Sequence, residues 1–123
     1  MKHGYAVESD VSYPDTGVPS MSGADLRAMI DAGKAPFILD IRDNVDFSVG
    51  NIPGSVNIAL DDMDTRWEEI PADRNVVLLD RHGKQVRTAA RYLSYRGLDN
   101  LRTLENGFID GWKELGYPVE EVR

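Results

Sequence analysis

Two kinds of apolar pattern alternate along this chain. Phe37, Ile38, Leu39 and Ile41 form a short apolar run bounded by Pro36 and Arg42-Asp43, which predicts a strand buried on both faces. Val76-Val77-Leu78-Leu79, β-branched or apolar throughout, predicts a second such strand at the centre of a sheet. Val56-Asn57-Ile58 and Leu101-Arg102-Thr103-Leu104 predict two briefer strands. Between these runs the apolar residues fall at helical spacing. Leu26, Met29 and Ile30 share one face of a helix over 22–32, with Ser22 as N-cap, Asp25 in the first turn and Gly33 as the stop. Asn44 is placed to cap a single turn through Phe47 that Gly50 closes, and 61–69 reads as a helix with Met63, Trp67 and Ile70 inward until Pro71. Val86, Ala89, Ala90 and Leu93 stand at i, i+3, i+4 and i+7, the buried stripe of a helix over 86–96 that Gly97 ends. A last helix, 107–115, stops at Gly116 with Pro118 beyond.

Strands alternating with helices through short loops imply a mostly parallel α/β sheet with helices on both faces. A length of 123 residues holds one core, so residues 20–123 are expected to form one domain. Residues 1–19, with Tyr13-Pro14, Gly17 and Val18-Pro19, lack sustained periodicity and read as an N-terminal arm. Tyr5, Val7, Val11 and Tyr13 of that arm are apolar enough to cover a neighbouring subunit or the chain's own core edge, so the oligomeric state stays open.

Composition narrows the chemistry. No apolar run approaches the roughly 20 residues that cross a bilayer, and the opening residues do not lead into a secretory signal, so no membrane contact and a cytoplasmic location are expected. The chain has no cysteine, which removes disulfides, thiolate metal sites and cysteine nucleophiles together. Its two histidines, His3 and His82, are far apart in sequence, so neither a metal site nor a cofactor is expected. A net charge of −7 argues against nucleic acid as a partner. The charge is uneven, however. Residues 80–96 hold Arg81, Lys84, Arg87, Arg91 and Arg96 against the single acid Asp80, a local +4 set against −11 for the rest.

In a parallel sheet, ligands bind beyond the carboxyl ends of the strands, where loops lead into helix N-termini. The candidate loop is Asp80, Arg81, His82, Gly83, Lys84 and Gln85, running from the most apolar strand into the basic helix that begins at Val86. Such a loop aims backbone N–H groups inward, the helix dipole adds positive potential, and Gly83 allows a tight curl. It is an anion cup.

Three stretches of the chain together resemble the rhodanese-like domain, the sulfurtransferase fold. Leu39-Asp40-Ile41-Arg42, then Asp46-Phe47, then the stretch from Gly50-Asn51-Ile52-Pro53-Gly54 to Ile58 resembles that family's "D-V-R … E-Y … G-H-I-P-G-A-x-N-I". Val76-Val77-Leu78-Leu79-Asp80-Arg81-His82-Gly83 resembles its "V-V-Y-C-R-x-G", and Leu104-Glu105-Asn106-Gly107 through Trp112, with Gly116-Tyr117-Pro118-Val119, resembles its "L-x-G-G-x-x-x-W … G-x-P-V". The resemblance covers about Ser20 to Val119 and implies a three-layer α/β/α domain around a central, mostly parallel five-stranded sheet. It also implies that the residue opening the loop is a cysteine that carries a persulfide. Here Asp80 stands in that place, Gln85 stands where several family loops carry arginine, and Asn51 replaces the histidine of "G-H-I-P-G".

A carboxylate cannot become a persulfide, so persulfide sulfur transfer is excluded for these 123 residues alone. Asp80 is expected to point into the converging amides as an anion supplied by the protein itself, leaving Arg81, Lys84, Arg87 and Arg91 to attract an acidic protein or a small anion at the rim. Asp40 and Arg42 are expected to pair internally as supports, and Trp67 and Trp112 to serve in packing. The resemblance then implies a catalytically inactive binding or regulatory module. The alternative is an enzyme: a hydrolase using Asp80 and His82, or a sulfurtransferase working with a partner's thiol.

Overall fold

The computed structural model describes residues 17–122. Five strands are present among them: β1 (Ser20–Met21), β2 (Phe37–Asp40), β3 (Val56–Asn57), β4 (Val76–Leu79) and β5 (Leu101–Leu104). They form one sheet of order β1-β5-β4-β2-β3, every pairing parallel, with β4 aligned on β2 through Leu78 and Leu39 and on β5 through Leu78 and Thr103. The helices are α1 (Gly23–Asp31), α2 (Asn44–Val49), α3 (Met63–Arg66), α4 (Val86–Tyr95) and α5 (Gly107–Gly111).

Burial on both faces explains why the central strands are unbroken apolar runs. Leu39, Ile41, Val76, Leu78 and Leu101 face the layer that holds Met63 of α3 and the α4 stripe Val86, Ala89, Ala90 and Leu93. Ile38, Val77, Leu79 and Leu104 face the layer of α1 and α5, where Leu26, Phe108 and Trp112 pack. Each large aliphatic side chain removed from water in this way stabilises the fold by about 1.5–3 kcal/mol before ordering entropy is set against it. Among the described residues, no helix is long and apolar enough to cross a membrane.

The sheet, the α4 stripe and the Ser22 cap agree with the sequence reading; Ser22 Oγ accepts the Asp25 N–H at 3.0 Å. Four details differ. The fifth strand is Ser20–Met21, too short for an alternation pattern, and it is held as an edge strand by main-chain bonds such as Thr103 N–H to Pro19 O. Asp43, not Asn44, caps α2, its carboxylate accepting the Asp46 N–H at 2.8 Å, and that helix runs on to Val49. Residues 61–69 are not one helix but α3 between two 3₁₀ turns, Leu60–Asp62 and Trp67–Glu69; Arg66 grips Glu69 three residues on, a spacing that suits the tighter turn. The final helix breaks at Trp112 (φ −143°), whose side chain is buried while its indole N–H donates to Pro118 O at 2.7 Å. Of the arm expected over 1–19, residues 1–16 lie outside the described residues, together with His3, Tyr5, Val7, Val11 and Tyr13; Val18 packs against the core on the α4 side.

Candidate functional site

β4 ends in the loop of residues 80–85, and the curl of that loop is set by Asp80. The Asp80 side chain is buried, 3% exposed, and points into the loop. Among the described residues, three backbone N–H groups converge on its carboxylate: Gly83 donates to Oδ1, and Gln85 and Val86 donate to Oδ2 at 2.6 and 2.9 Å. The first turn of α4 has no side-chain cap of its own, since Gln85 makes no capping bond, and Asp80 supplies one from upstream. Gly83 adopts φ +88°, the left-handed curl that lets the amides turn inward.

A second element holds the outside of the loop. The first free N–H groups of α5 are given to loop carbonyls, Phe108 to Asp80 O at 2.7 Å and Ile109 to Arg81 O at 3.0 Å. Such close contact requires Gly107: a Cβ there would come within 2.6 Å of the Arg81 carbonyl and the His82 nitrogen, and its φ is +70°. Asn106 just before it is also left-handed, at φ 65°.

The loop opens on a cleft of about 500 Å³ lined by Ile41, Arg42, Asp43, Asp46, Leu60 and Asp61 on one side and Asp80, Arg81, His82, Lys84 and Gln85 on the other. Arg81 crosses toward α2 and pairs with Asp46 at 3.2 Å, so the rim cation is partly neutralised. His82 turns Nδ1 toward Asp110 at 3.3 Å; its polar partner is on α5. Lys84 and Arg87 are exposed. Asp40 and Arg42 form a buried ion pair. The Arg42 guanidinium grips both Asp40 oxygens at 2.7–3.1 Å, donates to Gly50 O at 2.6 Å and lies 4.0 Å over the Phe108 ring. Asn51 is buried as well, bonding Phe47 O and exchanging backbone bonds with Glu120, which ties the C-terminal segment to the α2 side of the cleft.

The structure thus gathers Asp80 through Val86 into one loop and sets Arg42 in the same wall, while Asp40 sits beneath it. Sequence reasoning missed Asp110 and the Asn106-Gly107 turn as parts of the site. Both lie inside the stretch matched to the family's closing segment, where the Asn-Gly pair was the available turn signal.

Comparison with known proteins gives a consistent answer. The family model described as the rhodanese-like domain matches residues 22–115. The chain is similar to a sulfurtransferase of Allochromatium vinosum, 32% identical over 67% of this chain and 76% of the relative. It is similar to the thiosulfate sulfurtransferase GlpE of Shewanella oneidensis, 33% identical over 66% of this chain and 79% of the relative. It also resembles an HTH-type transcriptional regulator of Mycobacterium tuberculosis at 28% identity, spanning 83% of this chain but 45% of that protein. Among solved structures, a rhodanese-related protein of Thermoplasma volcanium is 32% identical, with a TM-score of 0.74 over 83% of this chain and 97% of that one. The chain therefore belongs to the rhodanese-like domain family, carrying an aspartate at the head of its loop and no cysteine anywhere in its sequence.

Proposed function

We propose that this domain works without persulfide chemistry, as a binding or regulatory module whose loop face engages an acidic protein segment. The observation that carries the reading is the Asp80 carboxylate, which takes the loop N–H groups that an external anion would need. A small anion entering the cup would meet that buried charge at close range, which disfavours it. The rim is different: Lys84 and Arg87 stand exposed on a chain otherwise acidic, a distribution that attracts a negatively charged surface. The regulator among the relatives, in which the matching part is less than half the protein, is compatible with a module joined to other functions.

The test is an assay with thiosulfate and cyanide. The native chain should form no thiocyanate above buffer, while Asp80→Cys, which places a thiol among the same amides, should gain a measurable rate. Turnover by the native chain would refute the proposal. Capture of partners from extract by the native chain, compared with Arg81→Glu/Lys84→Glu/Arg87→Glu, should show salt-sensitive partners lost on charge reversal; identical captures would remove the loop face from the reading. The sulfurtransferase names of two relatives favour one other reading, in which a partner supplies the thiol. Thiocyanate formation that needs the captured partner and its cysteine would support that reading instead.

A further inference from the structure

The α2 side of the domain carries an apolar patch that the fold does not use. Val45 and Val49 stand one turn apart on α2 and are 71% and 70% exposed. Val122 donates its N–H to Ser48 O at 2.9 Å, which sets it, 56% exposed, against the last turn of the same helix. Two backbone bonds between Asn51 and Glu120 hold that C-terminal segment in place, so the three valines belong to one surface. Local physics does not account for them. β-branched residues are weak helix formers, and exposed positions on a helix of six residues gain nothing from packing within the fold.

Carboxylates border the patch. Asp43 caps α2, Asp46 lies on it, and Glu120 and Glu121 lead directly into Val122. Among the described residues, Arg81 compensates Asp46, whereas Asp43, Glu120 and Glu121 form no salt bridge. An apolar centre bordered by uncompensated acids fits a partner of the reverse charge. A twofold contact with a second copy would bring these acids onto the same acids, and an anionic lipid surface or a nucleic acid is repelled for the same reason.

We infer that α2 and Val122 form a docking surface for a basic amphipathic helix of a partner protein. The apolar stripe of that helix covers Val45, Val49 and Val122, and its lysines or arginines meet Asp43, Glu120 and Glu121. Two valines one turn apart present the ridge spacing that a second helix packs against. The surface is separate from the basic rim at Lys84 and Arg87, and the inference does not rest on the loop-face reading. It borders the cleft nonetheless, because Asp43 and Asp46 line one wall.

The probe is a helical peptide of about fourteen residues, leucine on one face and lysine on the other, titrated into the isotope-enriched full chain. The methyl signals of Val45, Val49 and Val122 should shift and saturate, while the signals of Tyr95, exposed on α4, should stay put. Val45→Ser/Val49→Ser, changes at exposed positions, should weaken binding about tenfold or more. Glu120→Lys/Glu121→Lys should also weaken it and reduce its sensitivity to salt. Two control peptides separate the contributions: serine in place of leucine leaves charge alone, and glutamate in place of lysine leaves apolar area alone. Neither should saturate the three methyl signals at the concentration where the first peptide does. Absence of saturable shifts at the valines, shifts spread evenly over the acidic surface, or equal binding of either control overturns the inference. So does movement of the valine signals on diluting the chain alone, which makes a second copy the occupant. No loop residue is changed and no turnover is measured, so failure here is separate from failure of the proposed function.

Discussion

Asp80 caps the helix that begins at Val86: its carboxylate takes the Val86 N–H at 2.9 Å across the whole loop. The same carboxylate holds Gly83 and Gln85, so a single side chain fixes the loop and the start of the helix together. Asp80→Ala should therefore cost about 1–2 kcal/mol, the range for losing a good cap, or roughly 4–8 °C in melting temperature for a domain of this size. It should also expose amides able to hold an oxyanion. Sulfate or thiosulfate should raise the melting temperature of Asp80→Ala, with little effect on the native chain. Equal stabilisation of both by the anion would show that the cup is not filled from within.

The Asp40–Arg42 pair should be far less tolerant than its charge alone suggests. Both side chains are buried, and Arg42 also serves Gly50 O and the Phe108 ring, so removing either partner leaves a charge without compensation. Arg42→Ala and Asp40→Ala should each lose about 3–5 kcal/mol in denaturant unfolding. A loss below 1 kcal/mol would mean that solvent reaches the pair.

Gly107→Ala tests how the loop is held from outside. The added Cβ meets the Arg81 carbonyl and the His82 nitrogen, both backbone, and the residue sits at φ +70°. We expect at least about 2 kcal/mol of destabilisation, from backbone strain plus the clash, and shifted amide signals across residues 80–86. Gly33→Ala shares the positive φ but meets nothing within 4 Å, so its signals in the loop should stay put.

A pH effect belongs to the exposed turn after α3. The Arg66 guanidinium, by hydrogen bonding and then by charge, holds the Glu69 carboxyl below its ordinary value of 4.5. A carboxyl lowered in the folded state stabilises the fold above its unfolded value and loses that contribution as pH falls through the lower folded one. The Glu69 side-chain signal should titrate below 4.5, and Arg66→Gln should bring it back up. Global stability near neutral pH should change little, since exposed pairs contribute little. A midpoint at or above 4.5 in the native chain would show the pair absent in solution.

The pattern of apolar residues was enough to determine the layered α/β architecture, because strands buried on both faces and helices buried on one leave different periods in the sequence. Residue identity likewise determined that Asp80 heads the loop and that this sequence carries no thiol. Tertiary structure alone decided the rest. Ser20–Met21 became a strand because β5 offered it an edge, and Trp112 left its helix because burial and the Pro118 carbonyl outweighed helical propensity. Arg81 turned to Asp46 and His82 to Asp110 because the chain folds distant segments against the same loop, and no local spacing records such meetings.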